Sequence, residues 1–263
     1  MTKKLYGLCL EEYQKNKVQA DVYYKRAIGV YPEMESSKAI AKFVKKYVKN
    51  NYSILDVGCA CGQYFRSLNR TIKKNFTYTG VDPYDIFLDK AKKAWRNYKN
   101  VSFKKGNIFK LPFKNGEFDI VICNNVLLHI PNLIKPIKEL LRVAKRTVII
   151  RTHIHDKSYR IQLVYNNKWW KYTNVKPKNE FDKKGNPRSF SYFDVVSEDY
   201  FKSIVLKPYP KAKIVINEDN FFNAKLINKS SKKEKRPGAT KIVNGMQVSD
   251  LLILPNKIVE INK

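Results

Sequence analysis

Ile54-Leu55-Asp56-Val57-Gly58-Cys59-Ala60-Cys61-Gly62 is the stretch on which the fold turns. With Tyr52 and Ser53 ahead of it, residues 52–57 read as a short buried strand. Small residues follow as a tight loop, and Gln63 to Arg70 continues at helical spacing. A strand that bends through small residues into a helix is the opening unit of an open α/β sheet, whose ligands sit at the strands' C-terminal ends. Small residues let the backbone approach a ligand closely. The helix that follows offers unpaired N–H groups. The pattern here is D-x-G-x-A-x-G. A dinucleotide site favours G-x-G-x-x-G, which suits a pyrophosphate. An aspartate ahead of the glycines would repel a pyrophosphate, but it can pair with a ligand ammonium.

Outward from this loop the strand–helix rhythm repeats. FTYTGVD (76–82) is a strand and DIFLDKAKKAWRNY (85–98) an amphipathic helix. VSFKKG (101–106) and FDIVICN (118–124) are strands, the latter apolar on both faces as buried parallel strands are. NLIKPIKELLRVAK (132–145) reads as a helix with Pro136 in its first turn, and RTVIIRT (146–152) as a fifth strand. Upstream, SSKAIAKFVKKYVKN (36–50) has helical spacing with Ser36 or Ser37 as N-cap. Alternating strands and helices imply right-handed βαβ units and a parallel sheet covered on both faces. After 153 the rhythm breaks into a polar, aromatic, turn-rich segment, then returns with a helix at 197–207 and two closing strands, AKIVIN (212–217) and SDLLILP (249–255). One domain is expected, with N-terminal helices forming a lid over 1–50, a ligand-binding core over 51–152, a substrate-side insertion over 153–195 and completion of the sheet over 196–263.

Three further elements stand at strand tips. Val81-Asp82 lies 26 residues after Asp56, where a carboxylate can accept both hydroxyls of a ribose. Pro83 begins the turn beyond it. Gly106-Asn107-Ile108 ends the third strand, where an amide can hydrogen-bond a purine edge and Ile108 can pack on the ring. FDIVICNNVLLHIPN (118–132) forms the fourth strand and its exit turn.

These motifs resemble those of the class I S-adenosylmethionine-dependent methyltransferases, in the small-molecule-type group with D-x-G-x-G-x-G, V-D, a G-D-A-type turn and F-D-x-V-x-x-x-x-x-L-x-H. The resemblance runs from about 50 to 152. It implies a doubly wound seven-stranded α/β sheet, mostly parallel with an antiparallel last strand and helices on both faces. It also implies S-adenosyl-L-methionine as methyl donor. By the same resemblance Asp56, Gly58, Cys59, Ala60 and Gly62 line the methionine part, Asp82 and Pro83 the ribose, Asn107 and Ile108 the adenine, and Asn124 lies under the donor. Ala60 replaces the usual middle glycine, which a small side chain tolerates if φ stays negative. Asn107 replaces the usual aspartate and keeps a carbonyl acceptor. The glycines that usually precede strand five are absent, so the turn at Val143-Ala144-Lys145-Arg146 is expected to be reshaped.

Alignment and desolvation supply much of the acceleration of methyl transfer. A general base is needed only for an acceptor of high pKa. The three histidines, His129, His153 and His155, are the candidates. Tyr23 and Tyr24 are candidates for the lid, and Trp169 and Trp170 for an acceptor wall. The cysteines Cys9, Cys59, Cys61 and Cys123 read as reduced thiols. The Cys59/Cys61 pair lacks partners, so no metal site is expected.

No apolar run approaches the roughly 20 residues of a membrane-spanning helix, and the N-terminus is a poor signal peptide, so a cytoplasmic protein is expected. The net charge of +29 raises the case for an anionic partner, nucleic acid included. Yet the 52 basic residues are scattered and mostly lysine, whereas base recognition leans on arginine forks. The expected acceptor is an O or N atom of a small molecule, glycan or natural product. The alternatives are an RNA methyltransferase and a catalytically silent cofactor-binding protein.

Overall fold

The computed structural model describes residues 17–164, 182–185, 190–219, 241–243, 246–249 and 252–263. Two helices lead in, α1 (Lys17–Ala27) and α2 (Glu35–Tyr47). Then β1 (Tyr52–Val57), α3 (Gln63–Thr71), β2 (Phe76–Asp82), α4 (Asp85–Trp95), β3 (Val101–Lys105) and β4 (Phe118–Asn124) alternate. A single 3-10 turn (Leu127–His129) leads to α5 (Ile134–Val143) and β5 (Ala144–His155). After β5 come β6 (Tyr159–Val164), β7 (Phe190–Ser197), α6 (Glu198–Leu206), β8 (Lys213–Glu218), β9 (Lys241–Val243), β10 (Met246–Ser249) and β11 (Leu252–Asn262).

Seven strands form the central layer in the order β3-β2-β1-β4-β5-β11-β8. β1 to β5 are mutually parallel, and β11 runs antiparallel to both β5 and β8. The pleat divides the core between the two faces. Leu55, Val121 and Ile150 pack beneath α5 and α6, while Ile54, Ile122 and Ile149 pack beneath α2 and α3. The doubly wound class and the antiparallel closing strand expected from the sequence are present.

Several boundaries differ from expectation. The closing strand that pairs β5 is Asn256–Asn262, not 249–255; the stretch Leu252–Pro255 pairs with β10 instead. Beyond the seven strands the described residues hold four more, β6, β7, β9 and β10. β5 extends to His155, and β6 and β7 pair antiparallel, with β7 lying beside the tip of β5 through Ile154 and His155. The start of the 153–195 segment is therefore a continuation of the sheet. α2 starts after Met34 rather than at a serine cap; the Ser37 hydroxyl donates back to the Met34 carbonyl at 2.8 Å. At the reshaped turn, α5 ends at Val143 and β5 begins directly at Ala144. Ser197 does cap α6, accepting from Tyr200 N at 3.3 Å. Among the described residues no helix is long and apolar enough to cross a membrane.

Candidate functional site

A cavity of about 200 Å3 opens at the C-terminal edge of the sheet, where the tips of β1, β2 and β4 meet. β1 and β4 are adjacent but their crossovers depart in opposite directions, so their tips part and leave a crevice. Gly58 turns the chain out of β1 with φ 78°, and Gly62 precedes α3 with φ 69°. Ala60, between them, has φ 46°, not the negative value expected. It is held there by Asp82, whose Oδ2 accepts from Ala60 N at 3.0 Å while Oδ1 accepts from Tyr84 N at 3.1 Å. Asp82 therefore does two things: it ties the loop after β1 to the tip of β2, and it faces the cavity. Burial pushes its carboxyl up to about 6 against those two N–H bonds.

The structure brings Gly58, Ala60, Asp82, Pro83, Asn107, Ile108 and Asn124 into the cavity wall, with His129 and Tyr23. Asn107 Oδ1 already accepts from Phe109 N at 2.9 Å, so the acceptor that remained after the loss of an aspartate is partly occupied. Asp56 stands behind the wall. It is buried, accepts from the Tyr78 hydroxyl at 2.6 Å, and is pushed up to about 7 by burial, against that hydroxyl and with the Asp82 charge. Gly62 also lies behind the wall: a Cβ there would meet Trp95 Nε1 at 2.8 Å and the Phe103 ring, so its smallness serves packing. The Cys59 thiol is turned toward Gly80, and burial raises it far above the usual thiol range; burial likewise pushes Cys61 up to about 12. Among the described residues no three His, Cys, Asp or Glu side chains gather as metal ligands do.

Of the three histidines only His129 reaches the cavity. Its Nδ1–H donates to the Tyr192 carbonyl at 2.8 Å, which leaves the ring's lone pair on Nε2. Burial lowers its pKa to about 4, against that hydrogen bond, so it is a neutral imidazole at neutral pH. His153 is fully buried within β5, because the strand runs three residues beyond the 146–152 expected from the sequence. His155 is exposed beside the Asp156 carboxylate. Tyr24 packs against the Ala60–Cys61 cluster under the Lys90 ammonium, outside the cavity wall. Trp169 and Trp170 lie outside the described residues.

Sequence reasoning missed Gln63, Tyr64, Tyr84 and Asn125, all of which line the cavity. Gln63 and Tyr64 carry one available signal, their place directly after the last glycine of the loop. Gln63 and Asn124 are each 7% exposed. Among the described residues, Gln63 Oε1 and both amide atoms of Asn124 have no hydrogen-bond partner. Buried polar atoms are paired in more than about nine cases in ten, so such a group calls for an explanation. Orphaned amides lining a cavity beside a carboxylate are what a polar ligand would satisfy.

A doubly wound sheet with a cavity at its switch point and a carboxylate facing it from the neighbouring strand tip has the architecture of the nucleoside-binding α/β proteins. Residues 48–190, more than half of the chain, match the family model described as a methyltransferase domain. The chain is 32% identical over 142 residues to an uncharacterized methyltransferase of Schizosaccharomyces pombe, covering 49% of this chain and 51% of that protein. It is 34% identical over 105 residues to the demethylmenaquinone methyltransferase of Lactococcus lactis, covering 38% and 42%. The matched region thus spans about half the length of these curated relatives. In fold it resembles an S-adenosylmethionine-dependent methyltransferase of Methanosarcina mazei, with TM-score 0.51 at 14% identity over 84% of this chain and 96% of that one. The chain belongs to the methyltransferase-domain family, and its fold is the Rossmann-like one seen in S-adenosylmethionine-dependent methyltransferases. The residues present fit that donor: Asp82 offers a buried carboxylate for ribose hydroxyls, Ile108 an apolar surface for a base, and Gln63 and Asn124 offer amides without partners.

Proposed function

We propose that this chain transfers a methyl group from S-adenosylmethionine to an O or N atom of a small molecule, glycan or natural product. One observation carries the acceptor class. The chain has 52 basic residues, yet no lysine or arginine is among the described residues that line the cavity. A polynucleotide held at the reacting atom would need phosphate contacts there, since phosphates dominate its affinity. Val126 and Ile130, the chain neighbours of His129 in the wall, are instead apolar. The likeness to enzymes named for a quinone substrate points the same way.

Bound S-adenosylmethionine supplies a methyl group already activated on a sulfonium. This chain's residues then align and desolvate. Asp82 orients the nucleoside. Tyr84 and Phe87 exclude water along one wall. His129, neutral and fixed by Tyr192, borders the space that an incoming hydroxyl or amine would enter; with a pKa near 4 it is a weak base and serves mainly to orient. In this reading residues 51–152 hold the donor, while 153–195 close the acceptor side through β7, whose Phe193 ring stands edge-on to His129 at 5.1 Å.

The test is transfer of labelled methyl from S-adenosylmethionine into a cell extract separated into small-molecule and nucleic-acid pools. Label in the small-molecule pool supports the proposal, and label confined to RNA overturns it. The net charge of +29 favours that second reading, in which RNA binding would weaken steeply with salt.

A further inference from the structure

A polar chain that starts at the buried Arg151 reaches the cavity wall through Asn125 and Tyr64. Arg151, on β5 and 3% exposed, is paired with Asp219 just after β8: Nε donates to Oδ2 at 2.8 Å and Nη2 lies 2.6 Å from the same oxygen. Arg151 Nη1 donates to Asn125 Oδ1. The Asn125 amide N–H in turn points to the Tyr64 hydroxyl at 3.4 Å, and that hydroxyl donates to Ser36 at 3.0 Å. Arg151 has only donors, so its partner on Asn125 must be the carbonyl oxygen. The orientation of the Asn125 amide is thereby settled: its N–H donors face Tyr64 and the cavity that both residues line. The backbone is fixed as well. Asn125 sits at φ 57°, a region asparagine tolerates, and its N–H donates to the Arg151 carbonyl at 3.0 Å.

The position of this turn says which end of a ligand it faces. A Cβ built on Gly58 would meet Val126 Cγ2 at 2.3 Å, so the Asn125–Val126 turn lies against the loop after β1. The start of α3, with its positive dipole end, adjoins the same space and contributes Gln63, whose buried Oε1 lacks a partner. Amide donors beside a helix N-terminus suit a carboxylate, and an unpartnered carbonyl suits an ammonium. We infer that the amino-acid end of the donor is read here: Asn125, held by the Arg151–Asp219 pair, donates to its carboxylate, and Gln63 Oε1 accepts from its ammonium. Arg151 is then a positioning residue that acts through Asn125.

This inference rests on the S-adenosylmethionine reading, and two probes separate their failures. S-adenosylhomocysteine carries the amino-acid end; 5′-methylthioadenosine keeps the nucleoside and thioether and lacks that end. Calorimetry on the full chain should show the wild type binding both. Asn125→Gly keeps the left-handed backbone and removes the amide. It should weaken S-adenosylhomocysteine by about tenfold to a hundredfold, the worth of one hydrogen bond to a charged group, and leave 5′-methylthioadenosine unchanged. The double variant Arg151→Met with Asp219→Leu leaves no lone buried charge and should show the same selective loss. Gln63→Leu should do so too. Equal weakening of both probes, or no change in either, overturns the inference while leaving the donor assignment intact. A wild type that binds neither probe overturns the donor assignment itself.

Discussion

Asp82 makes the donor assignment testable through protons. Its two oxygens accept from Ala60 N and Tyr84 N at 3.0 and 3.1 Å, yet burial at 5% exposure still holds its pKa at about 6. If ribose hydroxyls donate to this carboxylate, binding requires the ionised form and lowers the pKa further. At pH 7 about nine molecules in ten are ready, and at pH 5 roughly one in ten. Affinity for S-adenosylhomocysteine should therefore fall about tenfold from pH 7 to pH 5, or ~1.4 kcal/mol. Near pH 6, binding should release about half a proton. Calorimetry at pH 6 in buffers of different ionisation enthalpy counts that proton directly. Asp56 titrates close by and feels the Asp82 charge, so the apparent steps belong to the pair. Asp82→Asn separates them: it should bind more weakly by about 1–3 kcal/mol and lose the slope below pH 6. A wild-type affinity that stays flat from pH 7 to pH 5, or an Asp82→Asn variant with the wild-type slope, would refute the role of this carboxylate.

Other expectations follow from single residues. Ala60→Gly removes a left-handed strain of about 1–2 kcal/mol and adds about 0.5–1 kcal/mol of chain entropy cost; Tm should rise by up to about 4 °C, and a lower Tm counts against strain at φ 46°. The Asp56 carboxyl, raised in the folded state, contributes stability that is complete below the unfolded value of 3.8 and lost as pH rises through about 7. Asp56→Asn should therefore reduce the loss of thermal stability between pH 6 and pH 8, and a variant that declines as steeply as wild type disproves that burden. Gly58→Val places its side chain where Val126 stands, 2.3 Å from a Cβ, and should abolish S-adenosylhomocysteine binding; retained binding speaks against the loop's role. His129→Ala should leave donor affinity nearly intact and slow methyl transfer to an acceptor, whereas the reverse pattern reduces His129 to a structural part.

What the sequence disclosed and what it hid follow from the range of the interactions. Residues 52–124 were legible because β1, β2 and β4 carry short apolar runs, and Gly58, Asp82 and Gly106 mark three of the four strand ends, which are local signals. The φ of Ala60 was not, since it depends on the Ala60 N–H donating to Asp82 on the next strand. Nor was the closing strand: the more apolar 249–255 drew the reading, while the residues that pair β5 include Glu260, buried at 3% exposure and bonded to Asn217 at 2.9 Å. The Arg151–Asp219 pair joins positions 68 apart, which no periodicity records. His153 fell just outside the strand expected over 146–152, but pairing with β11 carries β5 through it. Net charge is a signal of another kind. It sums over the whole surface, whereas the described cavity wall holds Asp82, a neutral His129 and amides, with no described lysine or arginine. A property averaged over a chain therefore carries little about a site from which its carriers are excluded. The informative feature is the reverse one: that so basic a protein keeps cations out of the described wall where a positively charged donor would sit.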